Sequence, residues 1–139
     1  MSPPRFFSAA LLAAGYLWAS PTTSVGMLVI LISLPSGARI RLVRGAIEAY
    51  GGWVTRLLQS RFVLAGGCSA MTLGHVILGQ DLECLARSRD HEHVHVAQYR
   101  RWGPFFLPAY FAAAIWLWLR GKNPYWDNPF ERAAYDREK

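Results

Sequence analysis

The chain has 139 residues, 53% of them apolar and 14% aromatic, with six tryptophans and a net charge of +6. That length allows one domain with attachments and a modest core. The basic charge is mostly scattered arginine, with no zinc-finger spacing, RNA-binding signature or lysine tract, so nucleic acid is excluded and a membrane surface is favoured.

The first apolar stretch runs from Phe6 to Ala19 and follows Arg5. Ser20 and Pro21 read as an N-cap and a first helical residue, and Val25 to Leu34 is apolar again before Pro35-Ser36-Gly37 ends it. Pro21 makes a poor signal-peptidase site. Neither half alone reaches the roughly 20 residues a span needs. Residues 1–35 are therefore expected to form a membrane hairpin or kinked anchor, in preference to a pair of soluble core helices. Arg39, Arg41, Arg44, Arg56 and Arg61 follow it, and the positive-inside bias places that part in the cytoplasm of a bacterial inner membrane. Residues 36–139 form the rest of the protein.

Arg39 to Leu42 alternates polar and apolar, Arg44-Gly45 can turn it, and Ala46 to Tyr50 can return as its partner before Gly51-Gly52 breaks the pattern. Met71 to Leu78 is a further strand, closed by Gly79-Gln80-Asp81. His75 lies within it.

His91-Glu92-His93-Val94-His95 matches H-E-x-x-H. On a helix, His91 and His95 share one face a turn apart and can hold one metal ion, while Glu92 on the shoulder can take a proton from a water. On a strand, His91, His93 and His95 would share a face instead. The flanks favour helix, because Leu82 to Arg89 and Ala97 to Arg101 are mostly good helix formers. Ser88 or Asp81 can cap the start and Gly103-Pro104 provides a stop. His91, His95, Gln98 and Trp102 then form one stripe, with His93, Val96, Ala97 and Arg100 behind it.

Pro104 to Leu119 is apolar and ends in Arg120-Gly121-Lys122. About 16 residues make about 24 Å of helix, short against a hydrocarbon core of about 30 Å. The run is expected to be embedded, or packed on the N-terminal helices, with the chain returning to the same side. Arg100-Arg101 and Arg120-Lys122 at its ends suit anionic headgroups.

Asn128 and Pro129 then start a last helix, which carries Glu131. Glu131 is the leading third metal ligand, but its spacing from Asn128 is also that of a capping box. Asp127, Asp136, His75 and His93 are the alternatives. Cys68 and Cys84 have no metal-knuckle spacing and read as free thiols on a cytoplasmic face.

H-E-x-x-H followed by a glutamate on a later helix resembles the gluzincin type of the zincin metallopeptidases. Gln98 fits an H-E-x-x-H-x-x-Q variant of small bacterial zincin-like proteins. The resemblance covers residues 88–136. It implies zinc held by His91, His95 and Glu131, with Glu92 as general base. Tyr135 stands where gluzincins often carry an aspartate, and Asp136 is one further on. The metzincin pattern fails at Gln98 and Arg101, and no Asp-Gly segment of the intramembrane metalloprotease kind follows.

These readings give an α+β fold, mainly α: a zincin-like helix, a small β element and apolar membrane-associated helices. Gln98, Tyr99, His75 and Asp136 are expected around the metal, and Tyr99, Tyr135 and His75 could donate to an oxyanion. The expected function is a membrane-associated zinc hydrolase acting on peptides or proteins. The alternative is a non-catalytic membrane subunit that docks onto a larger complex.

Overall fold

A computed structural model describes residues 5–60 and 70–138. Cys68 and Arg61 lie outside the described residues, and Cys84 is a buried free thiol. The order is α1 (Arg5–Ser33), β1 (Arg39–Val43), β2 (Ala46–Tyr50), α2 (Gly52–Gln59), β3 (Ala70–Leu73), β4 (Val76–Gly79), α3 (Leu82–Trp102), α4 (Phe106–Leu119) and α5 (Pro129–Glu138). The fold is α+β and mainly helical.

The four strands lie in the order β1-β2-β4-β3. β1 and β2 form the expected hairpin, with Arg39 opposite Tyr50 and Val43 opposite Ala46. Arg44 and Gly45 both have positive φ, 50° and 79°, which is the geometry a two-residue turn between right-twisted strands requires. The expected strand from Met71 to Leu78 is instead a second hairpin. Gly74, at φ 63°, and His75 turn the chain between β3 and β4. Alternation alone could not locate that turn, because β4 is buried on both faces and reads as a continuous apolar run. β4 also pairs in parallel with β2, so it lies inside the sheet.

The two sheet faces bury different layers. Ala49, Val76 and Leu78 pack with Ile30 of α1 and with Val54 and Leu58 of α2. Ala46 and Ile77 pack on the other face with Leu85 and Val96 of α3. Val96 is thus core, and the back of α3 is its sheet-facing side. Arg89 adds a two-pronged ion pair to fully buried Glu48 of β2, at 2.9 and 3.2 Å, which fixes α3 on the sheet.

α1 is one continuous helix with Pro21 inside it, not a hairpin. Pro21 lies on the exposed face, where the Leu17 carbonyl that its missing N–H leaves unbonded can meet solvent. The buried stripe is Ala19, Thr22, Gly26, Ile30 and Ser33, at helical spacing. α1 packs along the sheet and α3. The helical stretches Ser8–Ser36 and Leu82–Leu119 are each long and apolar enough to cross a membrane. α4 is not packed on α1 as expected: Phe106 is its only buried residue.

Candidate metal centre

Asp81 caps α3, its carboxylate accepting from the Cys84 N–H at 2.7 Å, while Ser88 lies mid-helix and donates to the Cys84 carbonyl. Gly103 ends the helix at φ 56°, and the backbone turns through Gly103–Phe105 into α4. His91 and His95, one turn apart on α3, are both buried.

α5 brings Glu131 to them. Asn128 caps α5 by accepting from the Phe130 N–H at 3.1 Å. The Glu131 carboxylate does not turn back to close a capping box. Its Oε2 lies 3.0 Å from His91 Nε2 and 3.4 Å from His95 Nε2, and the two Nε2 atoms are 3.2 Å apart. Its Oε1 accepts from the Tyr110 hydroxyl at 2.7 Å. A metal ion with bonds of about 2.0–2.2 Å and tetrahedral angles separates its ligand atoms by about 3.3–3.5 Å, close to this triangle.

The protons support the same assignment. Gln98 Nε2 donates to the Phe130 carbonyl at 3.0 Å, so its Oε1 faces His95 Nδ1 at 2.8 Å. His95 Nδ1 then carries a proton, and in the neutral ring its Nε2 presents a lone pair to the triangle. With both rings neutral, one proton, on His91 Nε2, sits among the three atoms; a protonated His95 donates from its Nε2 to Glu131 Oε2 instead. One cation satisfies all three. The buried group His91, His95 and Glu131 could therefore hold a metal ion. Burial alone would raise the Glu131 pKa, but hydrogen bonds from His91 and His95, the His95 charge and the Tyr110 hydroxyl outweigh it and hold the group at about 2. It is a carboxylate at neutral pH.

Glu92 is buried beside the triangle, and its Oε2 accepts from Thr72 Oγ1 at 2.6 Å. Burial pushes its pKa up, against the pull of His95, Thr72 and His91. A raised carboxylate is a better proton acceptor than an exposed one. A cavity of about 140 Å³ opens here, lined by β3, by His91, Glu92, His95 and Glu131, and by Tyr110 and Phe111 of α4.

Of the other expected residues, Gln98 orients His95 through the hydrogen bond to its Nδ1. Tyr99 is buried and donates to the Thr72 carbonyl at 3.0 Å, so it braces β3 against α3. His75 is remote from this chemistry: it sits in the β3–β4 turn, its ring stacked on Tyr16 at 3.8 Å and its backbone N–H donating to Thr23 Oγ1 at 3.0 Å. Its placement in a strand beside the metal is thus corrected. His93 faces a different groove with Arg44 and Asp90. Asp127 accepts from the Asn123 N–H in the loop before α5, and Asp136 is exposed. Tyr135 packs its ring on His91 at 4.4 Å and pairs its hydroxyl with that of Tyr125 at 2.9 Å. Thr72, Tyr110 and Tyr125 were not legible in the sequence. Each acts across a fold contact, and no local spacing marks it.

Comparison with family models, with curated proteins and with solved structures finds no match.

Proposed function

We propose that the chain is a membrane-associated, zinc-dependent hydrolase of the metallopeptidase kind. The convergence of two imidazole Nε2 atoms and one carboxylate oxygen within 3.4 Å, beside a separate buried carboxylate, supports this reading most strongly. Zinc held there would acidify a water and polarise a substrate carbonyl. Glu92 takes the water's proton on its carboxylate and returns it to the leaving amine. Thr72 Oγ1 holds Glu92 Oε2, leaving the other oxygen for that transfer. Tyr125 lines the cavity and shares a hydrogen bond with Tyr135, so one of the two hydroxyls can donate to an oxyanion.

Substrate binding follows from β3. Among the described residues no strand pairs with its outer edge. An extended peptide can add there, beside Glu92, through backbone hydrogen bonds. The Thr72 carbonyl is already taken by Tyr99, which limits the register of such a peptide.

The exposed apolar surface of α1 and α4 favours one other reading, a non-catalytic subunit that docks into a larger membrane complex. Metal analysis and one substitution separate the two. Near-stoichiometric zinc should copurify, His91→Ala and His95→Ala should lose it, and His93→Ala should keep it. Glu92→Gln should keep both fold and zinc while lowering peptide hydrolysis by about 10²–10⁴-fold. A protein that never contains metal sinks the centre. Intact cellular function in Glu92→Gln, together with loss in His91→Ala, makes the metal structural and the docking subunit the better account.

A further inference from the structure

We propose that α1 lies in the plane of an anionic phospholipid bilayer instead of crossing it, so that the protein sits on one leaflet with its metal cleft beside the headgroups. This deepens the membrane association proposed above and does not depend on the metal.

The argument begins with the length of α1 that is free to cross. The helix has 29 residues, about 43 Å at its normal rise. From Gly15 onward it is held to the body. Gly15 abuts the Arg100 side chain, Tyr16 donates to the Gly45 carbonyl, Thr23 bonds the turn at His75, and Gly26 abuts Val76. The body held there contains an open sheet, the Arg89–Glu48 pair and a charged helix, none of which can enter hydrocarbon. Among the described residues, Arg5 to Ala14 extends past it, about ten residues or about 15 Å, half the thickness of a hydrocarbon core of about 30 Å. α4 is also too short, at 14 residues or about 21 Å, and the chain after it returns to place Glu131 beside His91.

The side of α1 turned away from the body is nevertheless apolar. Leu17, Val25, Leu28, Leu31 and Ile32 are 53–76% exposed. Ile40 and Leu42 of β1 continue this surface. They lie opposite Ala49 and Ile47, whose side chains belong to the α1 face of the sheet, and are 55% and 77% exposed. Trp18 and Phe105, both exposed, touch at 5.9 Å and join α1 to the start of α4. α4 is apolar on every side, which in an exposed helix marks contact with lipid.

Charge selects the occupant. Arg100 and Arg101 line a groove with Leu11, Leu12 and Trp18, so cations stand beside the apolar face. Arg120 lies over the Trp116 ring at 4.4 Å, and Lys122 follows it at the end of α4. With a net charge of +6, this pattern matches an anionic headgroup layer over acyl chains. A second copy of the chain would bring the same positive charges together.

The purified chain, added to the outside of preformed phosphatidylcholine vesicles, should float with them, and more strongly when phosphatidylglycerol is included. The pair Leu17→Glu and Leu28→Glu lies on the exposed face and should reduce floated protein by at least about tenfold, with circular dichroism and metal content unchanged. Ala9→Cys and Leu34→Cys, each in a Cys68→Ser, Cys84→Ala background, report the two ends of α1. Both should react fully with an impermeant maleimide from outside. Protection of either end until detergent is added means that α1 crosses, and overturns the proposal. So does unchanged flotation of the Glu pair. A wild-type chain that stays off vesicles but forms a dimer broken by the same pair assigns the face to a second copy and also overturns it. Zinc content of the same preparations reads the metal site separately.

Discussion

Glu131 divides its two oxygens. Oε2 faces the imidazoles, while Oε1 accepts from the Tyr110 hydroxyl at 2.7 Å. Tyr110 and Gln98 therefore orient two of the three residues that could hold a metal ion from outside the triangle, and such partners typically change metal affinity by about 10–100-fold. Tyr110→Phe keeps the ring packed against Phe106 and Phe130 and removes only the hydroxyl. It should weaken zinc binding by about tenfold, read by competition against a chromophoric chelator. Unchanged affinity would show that the carboxylate is held by the imidazoles and helix α5 alone.

At the scale of elements, two glycines of α1 separate a tight contact from a loose one. A Cβ on Gly26 would come within 2.7 Å of the Val76 Cβ, a buried branched side chain that has nowhere to move. A Cβ on Gly15 would come within 3.1 Å of Arg100 Cγ, part of a flexible chain. Alanine gains about 1 kcal/mol over glycine in a helix, and overpacking a core costs about 1–3 kcal/mol. Gly26→Ala should therefore lower the urea midpoint, while Gly15→Ala should leave it level or raise it. Equal effects at both positions would mean that α1 does not dock through this stripe. The same docking explains why sequence reasoning divided α1 at Ser20-Pro21. Those residues carry a helix-start signal, but Pro21 lies inside α1, on its exposed face.

For the whole molecule, His75 links stability to pH. Burial first, and Arg100 second, lower its pKa to about 4, while an unfolded histidine titrates near 6.5. Between these values the unfolded chain binds the proton and the folded chain does not. Stability from this group is therefore complete above about pH 6.5 and falls as the pH drops towards 4. Urea midpoints measured at pH 7 and pH 5 should differ less in His75→Phe than in the wild type. An equal drop in both would assign the acid sensitivity to other groups. His75 binds α1 to the β3–β4 turn, so its protonation loosens the contact between the first helix and the sheet.

The H-E-x-x-H helix, the β1–β2 hairpin, the end of α3 at Gly103-Pro104 and the start of α5 at Asn128-Pro129 were all legible in the sequence. Each is set by local rules of period, capping and turn chemistry that act over a few residues. Glu131 was legible only as one of two possibilities, ligand or cap, because both need a glutamate at that position. Tertiary structure brings α5 against α3, so that the carboxylate meets two imidazoles in place of a helix end. It also turned the run from Met71 to Leu78 into a hairpin, removed His75 from the metal, and added Thr72, Tyr110 and Tyr125 to the site. Thr72 with Glu92 and Tyr110 with Glu131 meet across 20 and 21 residues of chain, from segments that compete for the same buried space. No local pattern reports which of them will win it.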